Sequence, residues 1–387
     1  MSFSKNTFMK QLNSILIFSL ISIVVFSCKK DDDTASAKFH TPCNSVLDKW
    51  EITALHLPET QAQNDLVFID EETGFTVGNA GTILKTVNGG QDWTFVERYY
   101  NLNTHEIDKS ALTKARLLTV FFVDEAIGYV GGEAENIPIS GGNIDAVLLK
   151  TKDGGDTWSK QYLPGVRSVK KLYFFDADNG LALFLISDEN NYLKYKMYAT
   201  HDAAATWEIV PMPNLTISGS QFDVSSISVG VWVVENYFSS KYLRSTDKGQ
   251  TWQEVPIPST ECNSIRFQTD AQGTADCGGK SYKTTNGGNS WEEIIIADHT
   301  TDGAALKYFR STTEGFAFVP VYDNQTGGGE SWQVLNSFEV YQTTDGGINW
   351  KKSLIDKECD FTGTTFTYSD EVFYTLGWTA VNKFKLQ

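Results

Sequence analysis

The chain has 387 residues and a formal charge of -16, with 48 acidic and 32 basic residues, so its surface repels nucleic acid rather than attracting it. The 24 Phe, 16 Tyr and 10 Trp sit beside 31 Gly, a mixture of strand formers and turn formers that favours an all-β protein over a helical one. Length alone does not demand two domains, because repeat folds exceed the usual domain size as single units.

The chain opens with Lys5 and Lys10, an apolar run from Ile15 to Phe26, then Ser27 and Cys28. A short positive region, a hydrophobic region and a small residue form an export leader, and the run is too short for a retained membrane span. Val25, Phe26, Ser27 and Cys28 resemble a bacterial lipobox, which implies lipidation of Cys28 as the mature N-terminus. Residues 1–27 are therefore expected to be a signal peptide and 28–42 a flexible tether, starting Lys29, Lys30, Asp31, Asp32, Asp33. The lysine-then-aspartate run resembles the tag that sends some lipoproteins of the outer membrane to the cell surface, although a plain solvated tether is charged in the same way. The expected location is the outer membrane, and the membrane is reached through the lipid anchor alone.

From residue 43 to 387 a repeat organises the sequence. An octet recurs as TVNGGQDW at 86–93, TKDGGDTW at 151–158, STDKGQTW at 245–252, TTNGGNSW at 284–291 and TTDGGINW at 343–350. A worn copy, THDAAATW at 200–207, has lost its glycines. In a tight hairpin the acid or amide (Asn88, Asp153, Asp202, Asp247, Asn286, Asp345) accepts backbone N–H groups two residues on, and glycine supplies positive φ. The tryptophan (Trp93, Trp158, Trp207, Trp252, Trp291, Trp350) starts the next strand and offers a broad face for packing. Three short strand-like runs precede each octet, as in Leu66 to Ile69, Gly74 to Gly78 and Thr82 to Lys85.

These octets resemble the Asp-box, or bacterial neuraminidase repeat, which implies a β-propeller whose boxes join the third and fourth strands of each blade. Six blades follow directly, with tryptophans 39 to 65 residues apart. The chain ends supply a seventh, since the last three strands, ending at Val381 to Leu386, lack a fourth and Trp50 to Thr53 is a fourth strand without its three. The expected fold is an all-β seven-bladed β-propeller closed by the N-terminal strand completing the last blade, which removes an open edge.

After Cys28, four cysteines remain, and an oxidising compartment favours pairing them. Cys262 and Cys277 flank one turn, whereas Cys43 and Cys359 lie near the two chain ends; those are the expected pairs. His40, His56, His105, His201 and His299 are scattered without metal-ligand spacing, so neither a metal nor another cofactor is expected.

If the boxes share one face, the long connections at 97–116, 133–145 and 323–337 project from the other. Tyr99, Tyr100, His105, Arg116, Glu133 and Trp332 are the contact candidates there, for a protein or glycan partner of a monomeric chain. A sialidase-like glycoside hydrolase is the alternative, because that family carries the same boxes. Its chemistry needs three clamping arginines, and this chain offers Arg98, Arg116, Arg167, Arg244, Arg266 and Arg310 without the family's early Arg-Ile-Pro signature. Closer likeness lies elsewhere. Phe68, Ile69, Asp70, then Gly74, Phe75, then Gly81 to Thr86, and again Phe122, Val123, Asp124, Gly128, Tyr129 and Leu149, Lys150, Thr151, resemble the photosystem II assembly and stability factor family of propellers. That resemblance implies a non-catalytic assembly platform.

Overall fold

The computed structural model describes residues 45–47, 50–58, 62–101, 104–135, 145–211, 232–236, 241–245, 247, 250–259, 262–267, 271–278, 280–295, 306–309, 313–327, 330–354, 365–367, 372–376 and 380–386. Among them the elements are strands, apart from one 3-10 turn at Asn79–Gly81. Strands meander into consecutive antiparallel units. The first unit is Gln63–Phe68, Thr73–Gly78, Ile83–Val87 and Thr94–Glu97; the second is Leu117–Phe122, Gly128–Ala134, Asp145–Thr151 and Ser159–Pro164. The third comprises Val166–Phe174, Gly180–Ser187, Leu193–Thr200 and Glu208–Ile209, and a single bridge, Glu133 to Ser168, ties it to the second.

A fourth unit contains Trp232–Asn236, Lys241–Ser245 and Gln253–Val255. The fifth runs Cys262–Phe267, Gly273–Cys277, Lys280–Thr284 and Glu292–Ile294, and the sixth Leu306–Phe309, Gly315–Gly327, Glu330–Thr343 and Lys351–Leu354. In the last sheet, Thr365–Thr367, Val372–Leu376 and Ala380–Leu386 are followed by Trp50–His56, which pairs along its length with the C-terminal strand, from Trp50 opposite Leu386 to His56 opposite Ala380. The expected strand at Trp50 to Thr53 is thus longer, and Ser45–Leu47 adds a further edge beyond it.

Two expectations need correction. Residues 323–337 are not a connecting loop: Asp323 lies opposite Val334 and Gln325 opposite Trp332 in one long hairpin. Tyr322, Thr326, Trp332 and Val334 are strand formers, and the pairing runs out to Gly327 opposite Glu330. Nor does each box tryptophan begin a strand; Trp93, Trp158, Trp207, Trp252, Trp291 and Trp350 stand one residue before it.

The core lies between successive units, and in the first three an aromatic at the end of the first strand organises it. Phe122 stacks on Phe75 of the preceding unit, 4.5 Å between centroids, and meets its own box tryptophan, Trp158, edge-on at 6.0 Å. Phe174 does the same with Tyr129 (3.9 Å) and Trp207 (6.3 Å), and Phe68 with Tyr374 (3.9 Å) and Trp93 (6.0 Å). Stacked and edge-on contacts both suit the ring quadrupole, so one phenylalanine fastens two sheets. The room comes from glycine: a Cβ on Gly128 would lie 2.6 Å from the Phe122 ring.

Truncating this wedge leaves a hole between two sheets that cannot collapse independently. Phe122→Ala should therefore cost about 3–5 kcal/mol in urea unfolding of the full chain. An unchanged midpoint would show that the wedge does not join the sheets.

Candidate functional site

At the box end of the units the geometry is repeated almost atom for atom. Asp153 Oδ1 accepts the backbone N–H of Thr157 at 2.9 Å, and the Thr157 and Thr151 hydroxyls donate to the same carboxylate. Asn88, Asp202, Asp247, Asn286 and Asp345 each accept the N–H four residues on in the same manner. The reach is four residues, not two, because the threonine or serine that opens the box occupies the nearer donors: Thr151 Oγ1 accepts from Asp153 and Gly155. Gly154 and Gly155 have φ of 69° and 80°, which permits the tight reversal. Hydrogen bonds from Thr157, Thr151 and the backbone hold the Asp153 carboxyl at about 2, well below the usual carboxylate range.

The boxes also receive a cation from the preceding unit. Lys85 Nζ donates to the Gly154 carbonyl at 2.9 Å and pairs with Asp156 at 2.7 Å, and Lys150 Nζ donates to the Ala203 carbonyl at 2.9 Å. Box acids are thus committed to turns and joints. A cavity of about 570 Å³ opens beside them between the first two units, lined by Val67 to Ile69 and Phe122 to Ala126. Asp124 on its wall already accepts the N–H groups of Ala126 and Ile127.

At the other end of the strands, sequence candidates come together in two groups. Arg116 lies 3.8 Å from Glu133 and donates to Asn64 Oδ1 at 3.3 Å. Tyr100 meets His105 edge-on at 6.5 Å within a small hairpin, Tyr100–Asn101 with Glu106–Ile107. The Tyr99 backbone N–H donates to the Ala80 carbonyl, while Gly81 N–H donates to Ala115 O, so one turn carries both groups. Trp332 belongs to the sixth unit's hairpin, and its side chain lies outside the described residues, as do Cys28, Cys43 and Cys359. Cys262 and Cys277 are register partners with sulfurs 1.93 Å apart.

Several further charged groups lie here that no sequence motif marks. Buried Asp65 accepts N–H groups from Leu66 and, in the next unit, Val120, with Lys171 Nζ 3.9 Å away. Lys170 faces Glu133 and Arg116, and burial lowers its pKa. Register shifts between Val166 and Ser168 and between Val169 and Lys171 re-aim this strand, and such bulges leave no signature in a single sequence. Burial alone would raise the Glu135 carboxyl; hydrogen bonds from Thr113 and Tyr162 and the Lys160 ammonium outweigh it and lower it instead. This end of the array therefore offers fixed, mixed charge framed by half-buried tyrosines, with no nucleophile and base set toward one another among the described residues.

Consecutive antiparallel sheet units, most of them four-stranded and with an Asp-box turn leading into the last strand, define an all-β protein of propeller-like architecture. The sequence model of the photosynthesis system II assembly factor YCF48 family matches residues 43–374, and the chain belongs to that family. The photosystem II assembly lipoprotein Ycf48 of Synechococcus sp. (strain CC9902) is 22% identical over 324 residues, covering 82% of this chain and 84% of the relative. A solved structure of YCF48 bound to D1 peptide superposes with a TM-score of 0.62 at 19% identity, covering 90% of this chain and 100% of the other. The GH74 xyloglucanase of Xanthomonas campestris shares the fold at TM-score 0.54 and 13% identity, over 86% of this chain and 53% of the enzyme.

Asp153 and Asp345 both sit near 2 when folded, below the ordinary 3.8. A depressed carboxyl contributes stability that is complete above the unfolded pKa and is lost as pH falls through the folded one. The unfolding temperature should therefore drop between about pH 4 and pH 2, and less steeply in Asp153→Asn, followed by circular dichroism. Equal slopes for the two proteins would remove Asp153 from the acid response.

Proposed function

We propose that the chain is a non-catalytic cell-envelope lipoprotein that serves as a binding or assembly platform, taking a protein partner at the face opposite the boxes. The observation that carries this reading is the match, over 90% of this chain, to a solved YCF48 bound to D1 peptide. Arg116, Glu133, Lys170 and the Tyr99–Tyr100 hairpin supply charge and aromatic surface of the kind that recognises a peptide, whereas the box residues are consumed in turns.

In the same reading the units are blades of a seven-bladed ring, and the pairing of Trp50–His56 with Ala380–Leu386 supports its closure by the N-terminal strand. Residues 1–27 are the leader, Cys28 carries the lipid, residues 28–42 tether the propeller of residues 43–387, and the outer membrane holds it, with the tether directing it to the surface. Cys262 with Cys277 and Cys43 with Cys359 form its disulfides, and the protein works as a monomer without a cofactor.

The mature lipoprotein, tagged and solubilised in detergent, should capture a protein from envelope extract. Arg116→Ala and Tyr100→Ala should each weaken capture at least about fivefold while leaving the circular dichroism spectrum intact. Retention of a glycan on an array, with no protein captured, would replace the protein partner by a carbohydrate. Turnover of a fluorogenic sialoside that is abolished by Arg310→Ala would instead establish the glycoside hydrolase.

A further inference from the structure

The box acids are committed to their own turns, but the same end of the array carries a second set of turns, those leading from the first strand of a unit to its second. In the first two units they are built alike. Asp70 Oδ1 accepts the N–H groups of Glu72 and Thr73, and Asp124 Oδ1 accepts those of Ala126 and Ile127. Each turn is tied to its unit's box through the backbone, Gly89 N–H donating to the Glu72 carbonyl and Gly154 N–H to the Ala126 carbonyl. The residue after each aspartate is exposed, and in both units it is a glutamate, Glu71 and Glu125.

The cavity of about 570 Å³ opens at these turns, lined by Val67, Phe68, Ile69, Phe122, Val123 and Ala126, with Asp124 and Glu125 on its wall. Val67, Ile69 and Val123 are only half-buried, so its lining is apolar surface within reach of solvent. Asp70, Glu71 and Glu72 continue the chain directly from Ile69, which brings the two turns to five carboxylates. Burial would raise the Asp70 carboxyl, but the N–H groups of Thr73 and Glu72 outweigh it and lower it, so this rim is anionic at neutral pH. The Lys85 ammonium, which crosses the same joint, is engaged by the Gly154 carbonyl and Asp156. Glu71, Glu72 and Glu125 form no ion pair among the described residues.

A ligand matched to this groove must bring hydrocarbon and positive charge together. A metal ion does not answer that description, and among the described residues no cluster of His, Cys, Asp or Glu is placed to hold one. The volume lies within the roughly 300–1,000 Å³ of clefts that enclose small groups, which suits a large side chain rather than a broad sheet of surface. We propose that the groove docks a protein segment in which an aliphatic or aromatic side chain is flanked by lysine or arginine. The apolar side chain enters between the first and second units, and the cations meet Glu71 on one side and Glu125 on the other. This is a second docking surface, at the opposite end of the strands from Arg116 and Glu133. Burial of the side chain supplies affinity, while charge at the rim sets orientation and speeds encounter.

Fluorescence anisotropy of a labelled peptide, Gly-Lys-Leu-Phe-Lys-Gly, titrated with the full-length protein, tests this. The peptide should bind, and raising salt from about 0.05 M to about 0.5 M should weaken it several-fold. Replacing its Leu-Phe by Ser-Ser, or both of its lysines by glutamate, should each weaken binding at least about tenfold. Glu71→Lys combined with Glu125→Lys should cost as much, and so should Ala126→Trp, which fills the groove from an exposed position; circular dichroism should be unchanged in both. No binding up to about 1 mM overturns the proposal. So does a serine peptide held as tightly as the leucine-phenylalanine one, which would reduce the site to surface charge and which is decided on the unaltered protein even if a variant fails to fold. Full binding by folded Ala126→Trp would place the peptide elsewhere and overturn it as well.

Discussion

A phenylalanine wedged between two sheets has to satisfy two partners at once, and most of the sequence pattern follows from that demand. Phe122 needs a flat ring ahead of it, Phe75, and an edge-on ring behind it, Trp158. The box exists to deliver the second partner, because its turn must reverse the chain tightly enough to bring the tryptophan back over its own sheet. The residue facing the wedge on the neighbouring strand must then be glycine, as at Gly128, where even a methyl group would collide with the ring. Phenylalanine, glycine and tryptophan in each repeat are thus one packing problem solved three times over, at Phe68, Phe122 and Phe174.

Burial at the joints sets the electrostatics of the two ends apart. On the box side, acids are bound up with threonine hydroxyls and backbone N–H groups, and a lysine from the previous unit reads the turn through its carbonyl. Their charge is internal to the scaffold. On the other side, bulges push Lys170 and Lys171 out of simple alternation and leave Arg116, Glu133 and Asp65 in a mixed cluster spanning three units. A ligand there meets side chains held by neighbouring strands, whereas one at the box end meets turns whose polar groups are already occupied.

Much of this is legible in the sequence. The octets announced the turns, their Thr-x-Asp or Thr-x-Asn core announced local hydrogen bonding, and Trp50 announced a strand in need of partners. What escaped was of a different kind. The run of strand formers on both sides of Gly327 looked like decoration because loop length was read without its alternation. The four-residue reach of Asp153 was missed because Thr151 competes for the nearer donors, a competition visible only in three dimensions. Lys170 and Lys171 went unnoticed since adjacent residues on a regular strand point opposite ways, and only a bulge changes that. Arg116 and Glu133 are candidates in the sequence because they border long connections, and they lie 3.8 Å apart in the structure.

The pairing of Trp50–His56 with Ala380–Leu386 has a consequence for how the molecule comes into being. Most strand pairs here are neighbours in sequence and can form as soon as the intervening turn is made. This one spans almost the whole polypeptide, so its ends meet only after a very large loop has been closed, at an entropic cost that grows slowly with length but is met in one step. The last sheet must therefore be the final one assembled, and until then it waits as an incomplete edge, the moment at which a nascent chain of this design is most exposed to pairing with the wrong strand.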